Sequence, residues 1–161
     1  MGIHRIVTGA ANGRETVLDD TTVEEVTFNG ISTAALWRID EIPVVPGASV
    51  FTDYANFTFP SPAGLLVCTF TVPPNISIDD TEGVVDIAYS DARPGYHSTD
   101  TVDIDLVIAG EVFLEIEDGS EVRLAAGDTV VLGGTGHAWH NRSDAPATLL
   151  IVMYGARRAA P

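Results

Sequence analysis

The sequence is poor in cysteine and contains no lysine. Its one cysteine, Cys68, lies in an apolar run, so an intrachain disulfide and a cysteine-based metal cluster are both excluded. A free cysteine in such a run is typically a small buried hydrophobic residue, and we assign it no chemical role. The lack of a disulfide framework is typical of a reducing compartment, so we expect a cytoplasmic protein.

Positive charge is also scarce. Asp and Glu number 23 against 8 basic residues, all of them arginines, and the formal net charge is -15. Such a chain repels phosphate backbones and anionic membranes, so we expect neither nucleic acid nor membrane as a partner. No stretch approaches the ~20 apolar residues of a membrane-spanning helix, and the first residues lack the apolar region of a signal peptide.

Convincing helix caps are missing from the second half of the chain, whereas turn signals are frequent. Gly and Pro recur between short runs rich in Val, Ile, Thr and Phe, which is typical of a β-sandwich or barrel. The clearest hairpin joins residues 110–117 to 121–124 through Asp118-Gly119, a pair that supplies the positive φ of a tight turn. Residues 129–132 are predicted to form a buried strand, and residues 147–154 a strand that closes the sheet.

The first half is less regular. Strand-like pieces lie near residues 24–28, 33–39 and 65–72, and a Pro-rich irregular arm joins them. The length of 161 residues suits one domain overall. Its N-terminal strands and Pro-rich arm (1–64) are expected to pack on the barrel core (65–156) or on a partner subunit. Because such arms cover open sheet edges, we expect a homodimer.

Residues 95–110 alternate sharply between polar and apolar side chains, with the two-residue period of a strand. One row contains His97, Thr99, Thr101, Asp103, Asp105 and Val107, and the other contains Val102, Ile104, Leu106 and Ile108. The polar row is either a solvated outer face, as alternation normally indicates, or the lining of a ligand-holding interior. Alternation alone does not decide between these interpretations.

The same stretch resembles the first of the two sequence motifs of the cupin superfamily. His97 matches the first of that motif's two histidines, Asp103 stands where its glutamate belongs, and Gly110 falls at the expected spacing. Thr99 replaces the second histidine. The 3-His-1-carboxylate ligand set of the family is therefore not intact.

The second motif follows at the right distance. Gly127 and Asp128 open a strand, His137 matches the metal-binding histidine, and Asn141 lies four residues beyond it. The resemblance covers roughly residues 67–154. It implies an all-β fold, a single-domain cupin built as an antiparallel double-sheet jelly-roll barrel with an irregular N-terminal arm.

The resemblance leaves a set of two histidines and one carboxylate: His97, Asp103 and His137. Such a set holds one divalent ion (Zn, Fe or Mn) and leaves positions open for substrate or water. His97 and Asp103 are six residues apart and are therefore expected on one face of one strand. Asp105 is a second carboxylate on that face, and we predict that Asp105 and Asp103 are the catalytic groups that move a proton.

Three side chains near these ligands are candidates for substrate binding: Thr99, Tyr96 and Trp139. Trp139 shares the face of His137 and could stack on a flat substrate, although core filling accounts for it equally well. His140 falls on the opposite face from His137 and is predicted to be peripheral. Arg93 flanks the mouth of the predicted site, where it could bind a carboxylate or simply belong to a loop. Arg157 and Arg158 are expected in a frayed tail.

Cupins include both enzymes and binding proteins, so the fold does not fix the function. We predict a metal-dependent small-molecule enzyme of the lyase type, a decarboxylase or dehydratase, whose substrate is a small organic acid or polyketide-like compound. A metal-dependent dioxygenase and a non-catalytic small-ligand-binding cupin remain as alternatives.

Overall fold

The computed structural model describes residues 2–28, 30–40, 42–43, 58–77, 88–89 and 95–158. The regular secondary structure of these residues consists of strands: β1 Gly2–Ala11, β2 Arg14–Glu24, β3 Val26–Phe28, β4 Ile31–Ile39, β5 Leu65–Val72, β6 Ile76–Ser77, β7 Ala88–Tyr89, β8 His97–Ser98, β9 Thr101–Ala109, β10 Glu111–Glu115, β11 Glu121–Ala125, β12 Thr129–Leu132, β13 Ala138–Asn141 and β14 Ala147–Gly155. In this part of the chain no helix is long and apolar enough to cross a membrane.

Two antiparallel sheets enclose the core. The larger has six strands in the order β12-β9-β14-β5-β4-β3, and the smaller has four in the order β11-β10-β13-β6. Alternate residues of both sheets turn inward, because side chains point to opposite faces along a strand. Buried side chains from the two sheets form one cluster, which includes Leu66, Val107, Leu149 and Ile151 from the larger sheet and Val112, Leu114, Leu124 and Trp139 from the smaller. The expected all-β double-sheet fold is confirmed.

The N-terminal residues form a long hairpin that our sequence reasoning missed. Strands β1 and β2 pair from Gly2↔Glu24 to Ala11↔Arg14. The signal was the dipeptide Asn12-Gly13, whose φ angles of 52° and 73° are those of a type I′ turn. The Pro-rich arm lies mostly in residues 44–57, outside the described residues.

Arg5 ties this hairpin to the larger sheet. Its buried guanidinium donates to the carbonyl of Leu36 at 2.8 Å and pairs with Asp19 at 2.7 Å. The hairpin is therefore anchored to the end of β4 by a hydrogen-bonded ion pair with little exposure to solvent.

Two of the predicted strands are present, but their predicted positions in the sheet are wrong. The run at 147–154 does not close the sheet, because β14 lies between β9 and β5 near its centre. The run at 129–132 is not a buried strand. Strand β12 lies at the sheet edge, where Val131 is 63% exposed.

The Asp118-Gly119 turn lies where it was predicted but is longer than a two-residue turn. The amide of Gly119 donates to the carbonyl of Ile116 at 2.9 Å, and the amide of Ile116 donates to the carbonyl of Ser120 at 3.0 Å. Gly119 adopts φ 81°. This geometry ends β10 at Glu115, two residues earlier than predicted.

The C-terminal tail is not frayed at Arg158. Its guanidinium donates to the carboxylate of Asp100 at 2.6 Å, to the carbonyl of Thr99 at 2.9 Å and to the carbonyl of Gly134 at 3.4 Å. Arg158 therefore joins the connection that follows β8 to the loop that precedes β13.

Candidate functional site

The orientation of β9 decides between the two interpretations of its alternating pattern. Asp103 and Asp105 are buried, with Asp105 only 2% exposed, whereas Ile104 between them is 48% exposed. The polar row therefore points into the space between the sheets. We call the inward-facing polar residues of this region the polar wall: His97, Thr99, Thr101, Asp103, Asp105 and His137.

His97 and Asp103 do not share one strand, which corrects the sequence prediction. His97 belongs to the short strand β8, which pairs with β7, while Asp103 lies in β9 of the larger sheet. Thr99 and Asp100 interrupt the strand between them. His97 therefore approaches the site from a separate piece of chain.

The two histidines of the polar wall are held side by side by their own backbones. The amide of each donates to the carbonyl of the other at 2.9 Å. This bridge joins the start of the first motif to the later part of the second. It brings the imidazole ring centroids to 4.5 Å.

Backbone carbonyls fix the orientation and the tautomer of both imidazoles. Nδ1 of His97 bonds to the carbonyl of Gly95, and Nδ1 of His137 bonds to the carbonyl of Thr135, both at 2.9 Å. A carbonyl only accepts, so Nδ1 carries the proton in both rings and the lone pair lies on Nε2. This is the arrangement that orients a histidine as a metal ligand.

Burial keeps both rings neutral. It lowers the pKa of His97 below its usual range and lowers the pKa of His137 to about 4, with the neighbouring His97 contributing to the second shift. Metal binding requires the neutral imidazole. At neutral pH both side chains are therefore in the form that a metal ion needs.

The two carboxyl groups of the polar wall have unmet bonding capacity. Within the described part of the chain, Oδ1 of Asp103 and Oδ1 of Asp105 are buried without a hydrogen-bond partner. Burial raises the pKa of Asp103 to about 6, and burial together with the charge of Asp103 raises the pKa of Asp105 to about 8. Buried polar atoms are normally bonded, so these oxygens mark a place where a ligand would satisfy them.

Thr99 is occupied within the wall itself. Its hydroxyl lies 2.7 Å from that of Thr101, and both residues are buried. Thr101 also bonds to Asp103 and so opposes the rise in that carboxyl's pKa. The residue in place of the motif's second histidine is thus the start of a hydroxyl chain that leads to Asp103.

The carboxylate of Asp103 does not complete a three-ligand cluster with the two imidazoles as the side chains stand. Within the described ranges, the set of three ligand atoms that all lie within 4.8 Å of one another belongs to Glu115, Glu121 and His140. His140 does lie on the opposite face from His137, as predicted. It is nevertheless buried, and its Nε2 lies 2.8 Å from Oε2 of Glu115.

Tyr96 and Trp139 flank the histidines. A Cβ on Gly136 would come within 2.6 Å of the Tyr96 hydroxyl oxygen, so the tyrosine ring lies directly over that glycine, next to His137. The Trp139 ring stands edge-on to His137 with centroids 6.1 Å apart, and the residue is 4% exposed. Arg93 lies outside the described residues.

Cys68 is buried behind the two carboxyls, and its pKa is raised by burial and by Asp105 and Asp103. The thiol is therefore not ionised at neutral pH. This agrees with the expectation that it has no chemical role.

Residues 83–153 match the sequence model of the cupin domain family. The chain therefore carries a cupin domain over these residues. In this cupin, Asn141 has a structural role. Its side-chain amide donates to the carbonyls of Val72 at 3.0 Å and Ala145 at 2.8 Å, and its oxygen accepts from Ser143. The asparagine of the second motif thereby fixes the turn between β13 and β14.

Two curated relatives come from fungal biosynthesis clusters. Oryzines biosynthesis cluster protein J of Aspergillus oryzae is 43% identical over 61 residues, which cover 35% of this chain and 34% of that protein. Phomopsin biosynthesis cluster protein C' of Diaporthe leptostromiformis is 36% identical over 77 residues, which cover 45% of this chain and 39% of that protein. The chain thus spans less than half the length of these relatives.

A solved structure, a Cupin 2 conserved barrel domain protein from Salinispora arenicola, covers 83% of this cupin and is covered over 82% of its own length. The two are 18% identical, with a TM-score of 0.49.

Proposed function

We propose that this cupin is a metal-dependent enzyme that acts on a small molecule by lyase-type chemistry. One observation supports the proposal above all. Two neutral imidazoles, each with its Nδ1 bonded to a backbone carbonyl, lie side by side in an interior that also holds, among the described residues, two buried carboxyl oxygens without hydrogen-bond partners. A buried polar group without a hydrogen bond costs about 1–3 kcal/mol, so a metal ion or ligand that bonds to these carboxyl oxygens would remove that cost.

The metal ligands in this proposal are His97, His137 and Asp103, and the ion is Zn, Fe or Mn. Asp103 must turn toward the imidazoles to reach the ion, which would exchange its hydrogen bond from Thr101 for a bond to the metal; among the described residues its Oδ1 has no hydrogen-bond partner to lose. When bound, the ion supplies a Lewis acid that neutralises negative charge on substrate oxygens. Among the described residues the polar wall contains no guanidinium, so the ion would supply the positive charge that an acidic substrate needs.

The substrate in this proposal is a small, partly apolar organic acid or polyketide-like compound. Val112, Leu114 and Trp139 belong to the buried apolar cluster between the same two sheets. Thr99, Tyr96 and Trp139 are the proposed substrate contacts. The names of the fungal relatives support a role in small-molecule biosynthesis.

Asp105 is the proposed proton donor. In a decarboxylation, the bond between the substrate's α-carbon and its carboxylate breaks, carbon dioxide leaves, and the electron pair remains on the α-carbon. That carbon then takes the proton from the Asp105 carboxyl, and solvent restores the proton to Asp105. Asp103, which titrates at lower pH than Asp105, remains available as the ligand.

The decisive variant is His137→Ala. We expect it to remove one equivalent of divalent metal from the purified protein and to lower turnover on the order of 10³-fold, because it deletes one of two imidazole ligands. Elemental analysis and carbon dioxide release from a panel of small organic acids measure these effects. His4→Ala, an exposed histidine paired with Asp20, is the matched control.

Turnover that requires O₂ would favour a dioxygenase over a lyase. Ligand binding without turnover would favour a non-catalytic cupin. Unchanged metal content in His137→Ala would remove the proposed centre. The homodimer and the cytoplasmic location expected from the sequence stay predictions, and size measurement in solution tests the first of them.

A further inference from the structure

A second group of potential metal ligands lies on the outward face of the smaller sheet. We call it the outer cluster: Glu115 on β10, Glu121 on β11 and His140 on β13. One ligand atom from each residue lies within 4.8 Å of the other two. The cluster is separate from the polar wall, because His140 and His137 point to opposite faces of the same stretch of chain.

Strand register forces the two glutamates together. Glu115 and Glu121 are directly opposed where β10 and β11 pair next to the Asp118-Gly119 turn. Two carboxylates in this position repel each other and destabilise the hairpin. A positive charge between them would turn that repulsion into attraction.

His140 reaches the same place from the other side. On β13 it opposes Phe113, one diagonal step from Glu115, and its Nε2 lies 2.8 Å from Oε2 of that glutamate. The His140 side chain is only 9% exposed although it faces outward. A nearly buried imidazole whose nitrogen faces two carboxylates is a ligand arrangement suited to a cation.

We propose that the outer cluster binds a zinc-class divalent ion through Nε2 of His140 and one carboxylate oxygen each from Glu115 and Glu121. One nitrogen and two oxygens suit zinc and its neighbours, whereas Mg²⁺ and Ca²⁺ prefer oxygen alone. The ion replaces the proton between His140 and Glu115, which moves to Nδ1 or leaves to solvent. Water completes the coordination, because the Glu115 and Glu121 side chains are 22% and 30% exposed.

Arg142 is the competitor for this ion. Its guanidinium forms an ion pair with Glu121 and lies over the Phe113 ring at 5.8 Å. Zinc binding must therefore displace one arginine contact. The affinity of the outer cluster is set by this exchange, and the net charge of -15 favours the arriving cation.

The test is zinc stoichiometry in the full-length, metal-stripped protein, measured by competition with a chromophoric chelator. We expect His140→Gln to lose one equivalent that His137→Ala retains. Glu111→Gln is the matched control, since Glu111 lies on the same strand face but pairs with Arg123. It should leave the stoichiometry unchanged.

Arg142→Ala should raise the zinc affinity of the outer cluster instead of lowering it, so misfolding of the variant could not account for the result. If the outer cluster holds zinc, removing the competing guanidinium strengthens that equivalent by about tenfold, on the scale of one charge interaction near a protein surface. Equal zinc content in His140→Gln and wild type, or no gain in Arg142→Ala, would overturn the proposal. We call the proposed metal site at His97, His137 and Asp103 the inner centre. If only the inner centre fails to bind metal, wild type should still bind one equivalent of zinc, which His140→Gln abolishes and His137→Ala does not.

Discussion

Strands β9 and β10 follow one another in the chain but have opposite polarity. Strand β10 turns Val112 and Leu114 inward and glutamates outward, as a soluble sheet normally does. Strand β9 turns Asp103 and Asp105 inward and exposes Ile104. Because burying carboxyls opposes folding, an inverted strand must be retained for something other than stability. The contrast favours a stabilising role for β10, whereas the proposed chemistry lies on β9.

The largest expected effect tests the stabilising strand. Leu114→Ala, on the inward face of β10, should lower the free energy of unfolding by about 2–5 kcal/mol because it leaves a cavity in a dry core. Urea denaturation measures the change. The matched variant Ile104→Ala, on the exposed face of β9, should cost less than about 1 kcal/mol. Equal losses in the two variants would break the comparison.

The next effect tests the inverted strand. The pKa of Asp105 is about 8, against an ordinary value of 3.8, so the folded state holds a proton that the unfolded chain releases. In chelator-treated protein, stability should therefore fall as pH rises from about 4 to about 8.

Asp105→Asn removes this titration and should gain several kcal/mol of stability relative to wild type as pH rises from about 4 to about 8. Urea midpoints measured across that range give the result. Parallel curves for the two proteins would show that Asp105 is not held protonated. Asp40→Asn, an exposed carboxylate, is a suitable control.

The smallest expected effect concerns Arg158, which joins two connections next to the polar wall. Arg158→Ala should weaken metal binding at the inner centre about fivefold, because the guanidinium joins the connection after His97 to the loop before His137. Stability should change little, since the Arg158–Asp100 pair is exposed. Arg158→Lys should recover part of the affinity through its charge. Unchanged affinity in Arg158→Ala would show that the tail does not position the histidines.

The sequence was informative where residue type alone decides the outcome. The motif spacing identified His97 and His137 as partners, and the structure places their rings together. The alternating pattern of β9 was correct as a pattern, but its direction depends on which face meets the second sheet, and only tertiary packing determines that. The Asn12-Gly13 dipeptide is a hairpin signal, and the sequence prediction did not include this hairpin.

Other features could not be derived from a single sequence. The outer cluster depends on the register between β10 and β11 and on the diagonal neighbour on β13, neither of which is encoded in the spacing of residues 115, 121 and 140. The central position of β14 is likewise a matter of topology. Its apolar run fits an edge or a centre equally well.

The placement of β14 also limits how the protein is made. Residues 147–155 bridge β9 and β5 at the middle of the larger sheet, so those earlier strands have no neighbour on one side until this segment leaves the ribosome. Until then their unpaired edges are exposed to other nascent chains. Assembly of the sheet should therefore be slow, since its pairings join distant parts of the chain.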